Sequence, residues 1–336
     1  MIFLRLIRIP NLLIVVLTML AMRYGIMYPM LALNGFELQL STLNFSLLVV
    51  ATVLITAAGY IINDYFDVKI DTINKPNDTL IGLQFKRQWA MLLHVVFNFV
   101  AIALAAYIGV QVANYKLCFV YVMAACMLWF YSTNFKKQLI VGNIIVAFLA
   151  GLVPLIIGLF EMPLLYKAYS VQLAEYQFNF NYIAYFMIAF GAFAFALSWI
   201  REIVKDMQDQ LGDMEYGCQT MPIVWGNKVS AYVAIALTAI TVAAIGYLQY
   251  LQYTSADKLS VYYLSLFVQF PLLLTGYKLL SATDKPHFAF VSKLIKIAMI
   301  TGLLYAFVIH YELVHPALQS QELTEPAPSV SIGGGY

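Results

Sequence analysis

Long apolar stretches separated by short polar segments dominate this chain. Nine of the stretches are long enough to cross a bilayer as helices, for which about 20 residues suffice. They lie at 11–33, 44–62, 88–108, 116–132, 138–160, 182–200, 229–251, 259–278 and 290–310. The pattern therefore predicts an all-α fold, a polytopic transmembrane bundle of nine helices.

The composition supports a membrane protein. Of the 336 residues, 62% are hydrophobic and 11% are charged, whereas charged residues make up about a quarter of a soluble domain. Residues 1–312 are expected to form one transmembrane domain, and the polar, Pro- and Gly-containing segment 313–336 is expected to be a disordered tail. The lipid bilayer is the implied partner, and nothing in the charge pattern suggests nucleic acid.

The basic residues orient the predicted bundle. Fifteen of the 19 Lys and Arg residues fall in the N-terminal segment or in segments on the same side of the nine spans. Cytoplasmic loops carry this excess of positive charge. We therefore expect the N-terminus in the cytoplasm and the C-terminus outside. The 3 Cys residues show no paired spacing, so neither a disulfide nor a zinc site is expected.

Acidic residues concentrate in two segments on the predicted cytoplasmic face. The first is NDYFDVKIDTINKP, from Asn63 to Pro76, and the second is REIVKDMQDQLGDMEYG, from Arg201 to Gly217. Together with Asp78 they hold nine of the 17 acidic residues, and each borders a long apolar run. Like charges gathered at a membrane edge repel one another, so the clustering indicates that a cation binds there.

Helical geometry places the polar residues of each segment in a stripe along one side of a helix. If the second span continues as a helix past Tyr60, then Asn63, Asp67 and Asp71 spread over an arc of roughly 80°. Four carboxylates of the second segment lie within an arc of roughly 60° on the same geometry. They are Glu202, Asp206, Asp209 and Asp213. Carboxylates stacked in this way destabilise an isolated helix, which again favours cation binding.

Oxygen ligands without Cys or His suit a hard cation such as Mg²⁺. Magnesium usually bridges carboxylates to substrate phosphates, so the implied ligand is a phosphate or diphosphate carrying a long apolar tail. Four nearby basic residues are candidates for diphosphate binding, namely Lys75, Arg87, Lys136 and Arg201. Two other interpretations are a merely solvated charged face and an ion-coupled transporter, although transporter sites usually lie near the bilayer midplane.

The two acidic segments also carry a family resemblance. NDYFDVKIDTINKP resembles the NDxxDxxxD signature of the UbiA superfamily of intramembrane prenyltransferases, and DMQDQLGD resembles its second motif. The segments RIPN at 8–11 and YSTNFKKQLIVGN at 131–143 are similar to further family motifs. Within the superfamily, the second acidic segment most resembles the form found in digeranylgeranylglyceryl phosphate synthases.

The resemblance implies Mg²⁺-assisted loss of diphosphate from an allylic polyprenyl diphosphate, followed by attack of an acceptor. It assigns the metals to Asn63, Asp67, Asp71, Asp209 and Asp213, and the diphosphate contact to Lys136. Glu202 and Asp206 flank the second motif and are the candidate catalytic residues. A small polar acceptor of the glycerol-phosphate type is slightly preferred over an aromatic quinone precursor. A non-catalytic protein that binds prenyl diphosphate is a further alternative.

One position departs from the family pattern. After the first motif the family commonly reads N-R/K-P-x-R-P, whereas this chain has Asp78 where the second basic residue is expected. An aspartate there reverses the charge beside the expected diphosphate. The departure implies that a cation further along the chain substitutes, that the donor binds differently, or that activity is weak.

Overall fold

The computed structural model of the chain describes residues 2–74, 79–175, 177, 179–255 and 257–324, with side chains up to residue 315. Within these residues the chain is helical and contains no β-strand. Nine of the helices are long and apolar enough to span a membrane. They are α1 (Ile9–Ala32), α2 (Thr42–Asn74), α3 (Arg87–Gln111), α4 (Tyr115–Thr133), α5 (Val141–Ala168), α6 (Asn181–Glu215), α7 (Gly226–Thr254), α8 (Lys258–Leu280) and α9 (Lys285–Thr324).

Each predicted span corresponds to one of these helices, so the predicted fold is confirmed. The main difference is length. Helix α2 has 33 residues and α6 has 35, and each is therefore about 50 Å long. A hydrocarbon core about 30 Å thick cannot contain them. The described acidic residues of both segments lie on the last turns of α2 and α6. This continuation of the helix agrees with the expectation for the second span.

The C-terminal end of α9 also extends beyond its predicted span. This helix runs to Thr324, so the predicted domain boundary after residue 312 falls inside a helix. Residues 325–336 lie outside the described residues, and the disorder expected for the tail remains a prediction.

The helices pack with α2 against α3, α4 and α6, and with α6 against α5, α7 and α9. Glycines set the closest of these contacts. A Cβ atom at either Gly151 of α5 or Gly191 of α6 would lie 2.8 Å from the carbonyl oxygen of the other. Because neither residue has a side chain, the two backbones are in contact, and this contact sets the distance between α5 and α6.

A buried ion pair holds the end of the bundle that lies away from the acidic segments. Arg23 of α1 and Glu161 of α5 are 3.3 Å apart, and their side chains are 3% and 0% exposed. Glu161 accepts the backbone N–H of Leu40 at 2.9 Å and that of Gln39 at 2.5 Å, and Arg23 donates to the Leu40 carbonyl. The pair therefore ties the α1–α2 connection to α5.

Candidate active site

The two acidic segments line one cavity at the ends of α2 and α6. We call it the acidic cavity, and its volume is about 80 Å³. All five residues assigned to metal binding from the sequence line it, namely Asn63, Asp67, Asp71, Asp209 and Asp213. Glu202, Asp206 and Lys136 line it too. The structure therefore brings together eight residues that are distant in sequence.

A direct hydrogen bond joins the two segments. The side-chain oxygen of Asn74, the last residue of α2, accepts the backbone N–H of Gly212 in α6 at 2.9 Å. The ammonium group of Lys285 donates to the carbonyl of the same Asn74. Because Asn74 is held on both sides, the end of α2 and the acidic stripe of α6 keep a fixed separation.

The cavity carries an excess of negative charge. Six carboxylates line it, against the three cations Arg8, Lys136 and Lys205. Carboxylates this close resist sharing a site unless cations offset them. A lining with three more carboxylates than cations is therefore a setting in which a divalent metal ion binds.

The donor set fits Mg²⁺. The side-chain Oδ1 of Asn63 is buried, and none of the described residues gives it a hydrogen bond, as expected for an oxygen that a ligand completes. Among the described residues, no three acidic, histidine or cysteine side chains converge closely enough to enclose one ion. Magnesium is usually held by one or two carboxylates together with waters and substrate phosphates, so this open arrangement suits a metal shared with a diphosphate.

Three of the four predicted diphosphate-binding cations are among the described residues, and these three do not lie together. Lys136 forms an ion pair with Asp67 in the cavity. Arg201 lies 3.4 Å from Glu202 but is not part of the cavity lining. The guanidinium of Arg87 lies over the ring of Tyr65, 4.6 Å from its centroid. Lys75, like the anomalous Asp78, falls outside the described residues.

The two candidate catalytic carboxylates have different partners. Glu202 is 7% exposed and accepts hydrogen bonds from Lys205 at 2.9 and 3.1 Å. Asp206 accepts a hydrogen bond from the amide of Asn143 at 2.9 Å. Glu202 therefore serves as the counter-ion of a cation, whereas Asp206 is held by a neutral donor.

Several residues that line the acidic cavity were not assigned to it from the sequence. Arg8 adopts a left-handed backbone conformation with φ 53° at the start of α1, lies 2.6 Å from Asp64, and covers the ring of Tyr60. Tyr131 also lines the cavity, and Asn143 reaches it through Asp206. All three belong to the segments RIPN and YSTNFKKQLIVGN, so the signal was their place in those segments.

The loops that follow α4 and α6 close one side of the cavity. The backbone N–H of Gln219 donates to the carbonyl of Lys137 at 2.8 Å. The adjacent Cys218 lines the cavity and is 4% exposed. Burial, assisted by the nearby carboxylate of Asp213, raises the pKa of the Cys218 thiol to about 11. The thiol therefore stays protonated near neutral pH.

Two curated proteins with similar sequences have the same name. The chain is 30% identical over 256 residues to digeranylgeranylglyceryl phosphate synthase of Methanobrevibacter smithii, covering 75% of this chain and 80% of that protein. It is 29% identical over 258 residues to the protein of the same name in Methanothermobacter thermautotrophicus, covering 76% and 82%.

Solved structures have the same architecture. A structure described as giving insights into digeranylgeranylglyceryl phosphate synthase in membranes superposes with a TM-score of 0.57 at 25% identity, covering 93% of this chain and 98% of that one. A UbiA homologue from Archaeoglobus fulgidus bound to DMAPP and Mg²⁺ superposes with a TM-score of 0.56 at 19% identity, covering 92% and 99%. The second likeness establishes the fold alone.

A family model gives the assignment. The model of the UbiA prenyltransferase family matches residues 12–300, which include both acidic segments and the seven complete helices α2 to α8. The chain therefore belongs to the UbiA prenyltransferase family and is an integral, multi-pass membrane prenyltransferase.

Proposed function

We propose that the chain transfers a prenyl group from an allylic polyprenyl diphosphate to a small polar acceptor of the glycerol-phosphate type, with Mg²⁺ as cofactor. The observation that carries this proposal is that both acidic segments line one cavity. The Oδ1 of Asn63 in this cavity is buried and receives no hydrogen bond from the residues that the structure describes. The relatives named digeranylgeranylglyceryl phosphate synthase support the acceptor class, and the homologue bound to DMAPP and Mg²⁺ supports the donor and the metal.

The residues would divide the work as follows. Asn63, Asp67, Asp71, Asp209 and Asp213 hold the metal ions, which neutralise the charge that develops on the departing diphosphate. Lys136 exchanges its carboxylate partner for a diphosphate oxygen when the donor binds. The apolar tail of the donor lies among the spanning helices, which exclude water from the reacting carbon.

The transfer itself breaks one bond and forms another. The bond between the allylic carbon and the diphosphate oxygen breaks, and its electron pair leaves with the diphosphate. The acceptor hydroxyl oxygen bonds to the allylic carbon and loses its proton. We propose that the carboxylate of Asp206 accepts this proton. Asn143 orients that carboxylate in the cavity, whereas Glu202 is hydrogen-bonded to Lys205.

The test uses purified protein in detergent with labelled geranylgeranyl diphosphate. The acceptors are geranylgeranylglyceryl phosphate and an aromatic hydroxybenzoate. We expect Mg²⁺-dependent diphosphate release and a prenylated product with the glycerol phosphate. Asp67→Asn and Asp209→Asn should each lower turnover at least 100-fold, in keeping with loss of charge stabilisation in a transition state. Glu215→Gln is the matched control, because Glu215 is an exposed carboxylate near the end of the second segment and does not line the acidic cavity.

Three outcomes would contradict the proposal in different ways. Transfer to the aromatic compound alone would replace the acceptor class. Tight binding of the donor without turnover by any acceptor would indicate a non-catalytic prenyl-diphosphate-binding protein. Ion flux in liposomes without diphosphate release would indicate a transporter.

We also propose that the N-terminus and the acidic cavity face the cytoplasm and that the C-terminus lies outside. The distribution of Lys and Arg along the sequence supports this orientation. Single cysteines at Lys86 and Lys167, introduced after Cys118, Cys126 and Cys218 are replaced by serine, provide the test. A membrane-impermeant maleimide should label the Lys86→Cys variant in inside-out vesicles and the Lys167→Cys variant in intact cells. The reverse pattern would invert the topology.

A further inference from the structure

A second cavity adjoins the acidic cavity. Its volume is about 340 Å³, within the range of small-molecule sites. We call it the basic cavity, because Arg5, Arg8, Arg201 and Lys205 line it together with the neutral donors Gln208 and Ser292. Arg8 and Lys205 line both cavities, as do the carboxylates Asp71 and Asp209. The two cavities therefore share a wall.

The basic cavity has the opposite charge balance from its neighbour. Three carboxylates line it against four cations. Of these carboxylates, Asp64 is already 2.6 Å from Arg8, and Asp71 and Asp209 belong to the proposed metal ligands on the shared wall. Even with all three carboxylates ionised, the lining holds one more cation than carboxylates. The basic cavity therefore presents excess positive charge to any ligand that enters it.

Arg201 gives an independent indication that an anion binds here. Its Nε atom is buried and receives no hydrogen-bond partner from the described residues. Within the part of the chain that the structure describes, its ion pair is a long one, 3.4 Å from Nη1 to Glu202. An arginine has five donors in a planar fork that matches a phosphate or carboxylate. A buried donor left without a partner carries a cost that an anionic ligand would remove.

We propose that the basic cavity binds the phosphate group of the acceptor, a phosphate monoester, directly and without a metal ion. The identification of this ligand as the acceptor rests on the proposed transferase function. Phosphate monoesters carry about 1.5 to 2 negative charges at neutral pH. Arginines bind such groups through paired, charge-assisted hydrogen bonds. A cavity with three arginines and a lysine matches that charge better than it matches the single charge of an aromatic carboxylate.

The shared wall gives the cavity its role in the reaction. In a glycerol phosphate only a few bonds separate the phosphate from the reacting hydroxyl. A phosphate site can therefore serve this acceptor only if it directly adjoins the place where the donor reacts. Arg8 and Lys205, which face both cavities, meet that condition. On this proposal, Arg201 takes the acceptor phosphate as its ligand, in place of the donor diphosphate that the sequence suggested.

Binding can be measured separately from catalysis. The full-length protein in detergent, with EDTA present, is titrated with geranylgeranylglyceryl phosphate and with the same ether lacking the phosphate. We expect the phosphate ester to bind at least tenfold more tightly, which is the effect of losing one or two charge-assisted hydrogen bonds. Inorganic phosphate should compete with it. Equal binding of the two ethers would overturn the proposal. So would equally tight binding of phosphatidic acid, since the cavity would then be a general lipid-headgroup site.

Kinetics then separate the acceptor from the donor. Arg5→Gln and Arg201→Gln should each raise the acceptor KM at least tenfold and leave the donor KM within about twofold. The matched control is Lys293→Gln. Lys293 is an exposed cation that lines neither cavity, although it is next to Ser292 in the sequence. If the Arg5 and Arg201 variants raise the donor KM instead, the proposal is wrong.

Failure of this proposal and failure of the proposed function give different results. Phosphate-dependent binding in EDTA without any prenyl transfer would support the basic cavity and contradict the transferase function. Transfer to an aromatic acceptor with normal KM values in the Arg5→Gln and Arg201→Gln variants would support the transferase and overturn the basic cavity as an acceptor site.

Discussion

Gly212 of α6 and Asn74 of α2 are in direct contact, and the contact leaves no space for a side chain on Gly212. A Cβ atom there would lie 2.7 Å from the amide carbon of Asn74, closer than such atoms approach in proteins. Asn74 cannot turn away without losing its hydrogen bond to the Gly212 backbone. The spacing of the two acidic segments therefore depends on a glycine within the second one.

Replacement of Gly212 by alanine should separate the segments. We expect Gly212→Ala to lower turnover at least tenfold, because small displacements of catalytic groups cost rate steeply. Steady-state kinetics at saturating donor would measure this turnover. The control is Gly276→Ala in α8, where a Cβ atom would meet nothing within 4 Å. That change should leave turnover unaltered and raise stability by up to about 1 kcal/mol through helix propensity. Equal turnover in both variants would argue against a spacing role for Gly212.

Asn143 should matter for the chemical step through Asp206. Asn143→Leu removes the amide that holds this carboxylate at 2.9 Å, and loss of a buried partner costs about 1–3 kcal/mol. We expect kcat to fall roughly 10- to 100-fold while the donor KM changes little. Asn143→Asp should lower kcat further, since it places a second carboxylate in contact with that of Asp206. Gln138→Ala, an exposed position in the preceding loop, is the comparison. A change in donor KM alone would place Asn143 in donor binding.

Cys218 should resist alkylation. Since its pKa is raised to about 11 from an ordinary value of 9.0, the thiolate fraction at pH 7.5 falls about 100-fold. Its low exposure slows the reaction further. Cys126 is exposed and should react first with N-ethylmaleimide in detergent, as peptide mass spectrometry would show. Raising the pH toward 10 should accelerate modification of Cys218. Rapid labelling of Cys218 at pH 7.5 would contradict the buried position.

The pair Arg23 and Glu161 should affect stability but not the active site. Glu161→Gln leaves a buried guanidinium without its counter-charge, which typically costs about 3–5 kcal/mol. The unfolding temperature should drop. Turnover at low temperature should persist, because Glu161 is 18 residues along α5 from Asn143, or about 27 Å. Replacing both partners together, Arg23→Met with Glu161→Leu, should recover most of the stability. An unchanged unfolding temperature in the Glu161→Gln variant would mean that the ion pair contributes little to stability.

Removal of the metal should abolish transfer without unfolding the protein. Lys136, Asn143 and Lys205 hold three carboxylates of the acidic cavity, those of Asp67, Asp206 and Glu202, without an ion. We expect EDTA to eliminate diphosphate release, Mg²⁺ to restore it, and circular dichroism to remain unchanged. Loss of helical signal in EDTA would instead assign the metal a structural role.

The sequence predicted the nine helices and both acidic stripes because each depends on a local rule. A bilayer requires long apolar runs, and helical periodicity puts Asp67 and Asp71 on one face, as it does Asp209 and Asp213. The partners of the cations could not be obtained in this way. Arg87 lies over Tyr65, and Arg201 lines the basic cavity. Both placements depend on how α2, α3 and α6 pack, which no local rule gives.

The same limit explains why the basic cavity was not predicted. Arg5 and Ser292 are 287 residues apart in the chain, and only the approach of the N-terminal segment to α9 brings them to one surface. The buried pair Arg23 and Glu161 likewise joins residues that no local pattern connects. Tertiary contacts of this kind leave no periodic signal.

The great length of α2 and α6 has a consequence for how the products separate. Their last turns project past the hydrocarbon layer, so the charged end of a substrate would be handled where lipid meets water while its isoprenoid chain remains among the acyl tails. The released diphosphate would then depart perpendicular to the membrane plane into water. The new ether lipid would diffuse sideways within its own leaflet, and neither product would have to cross the other's path.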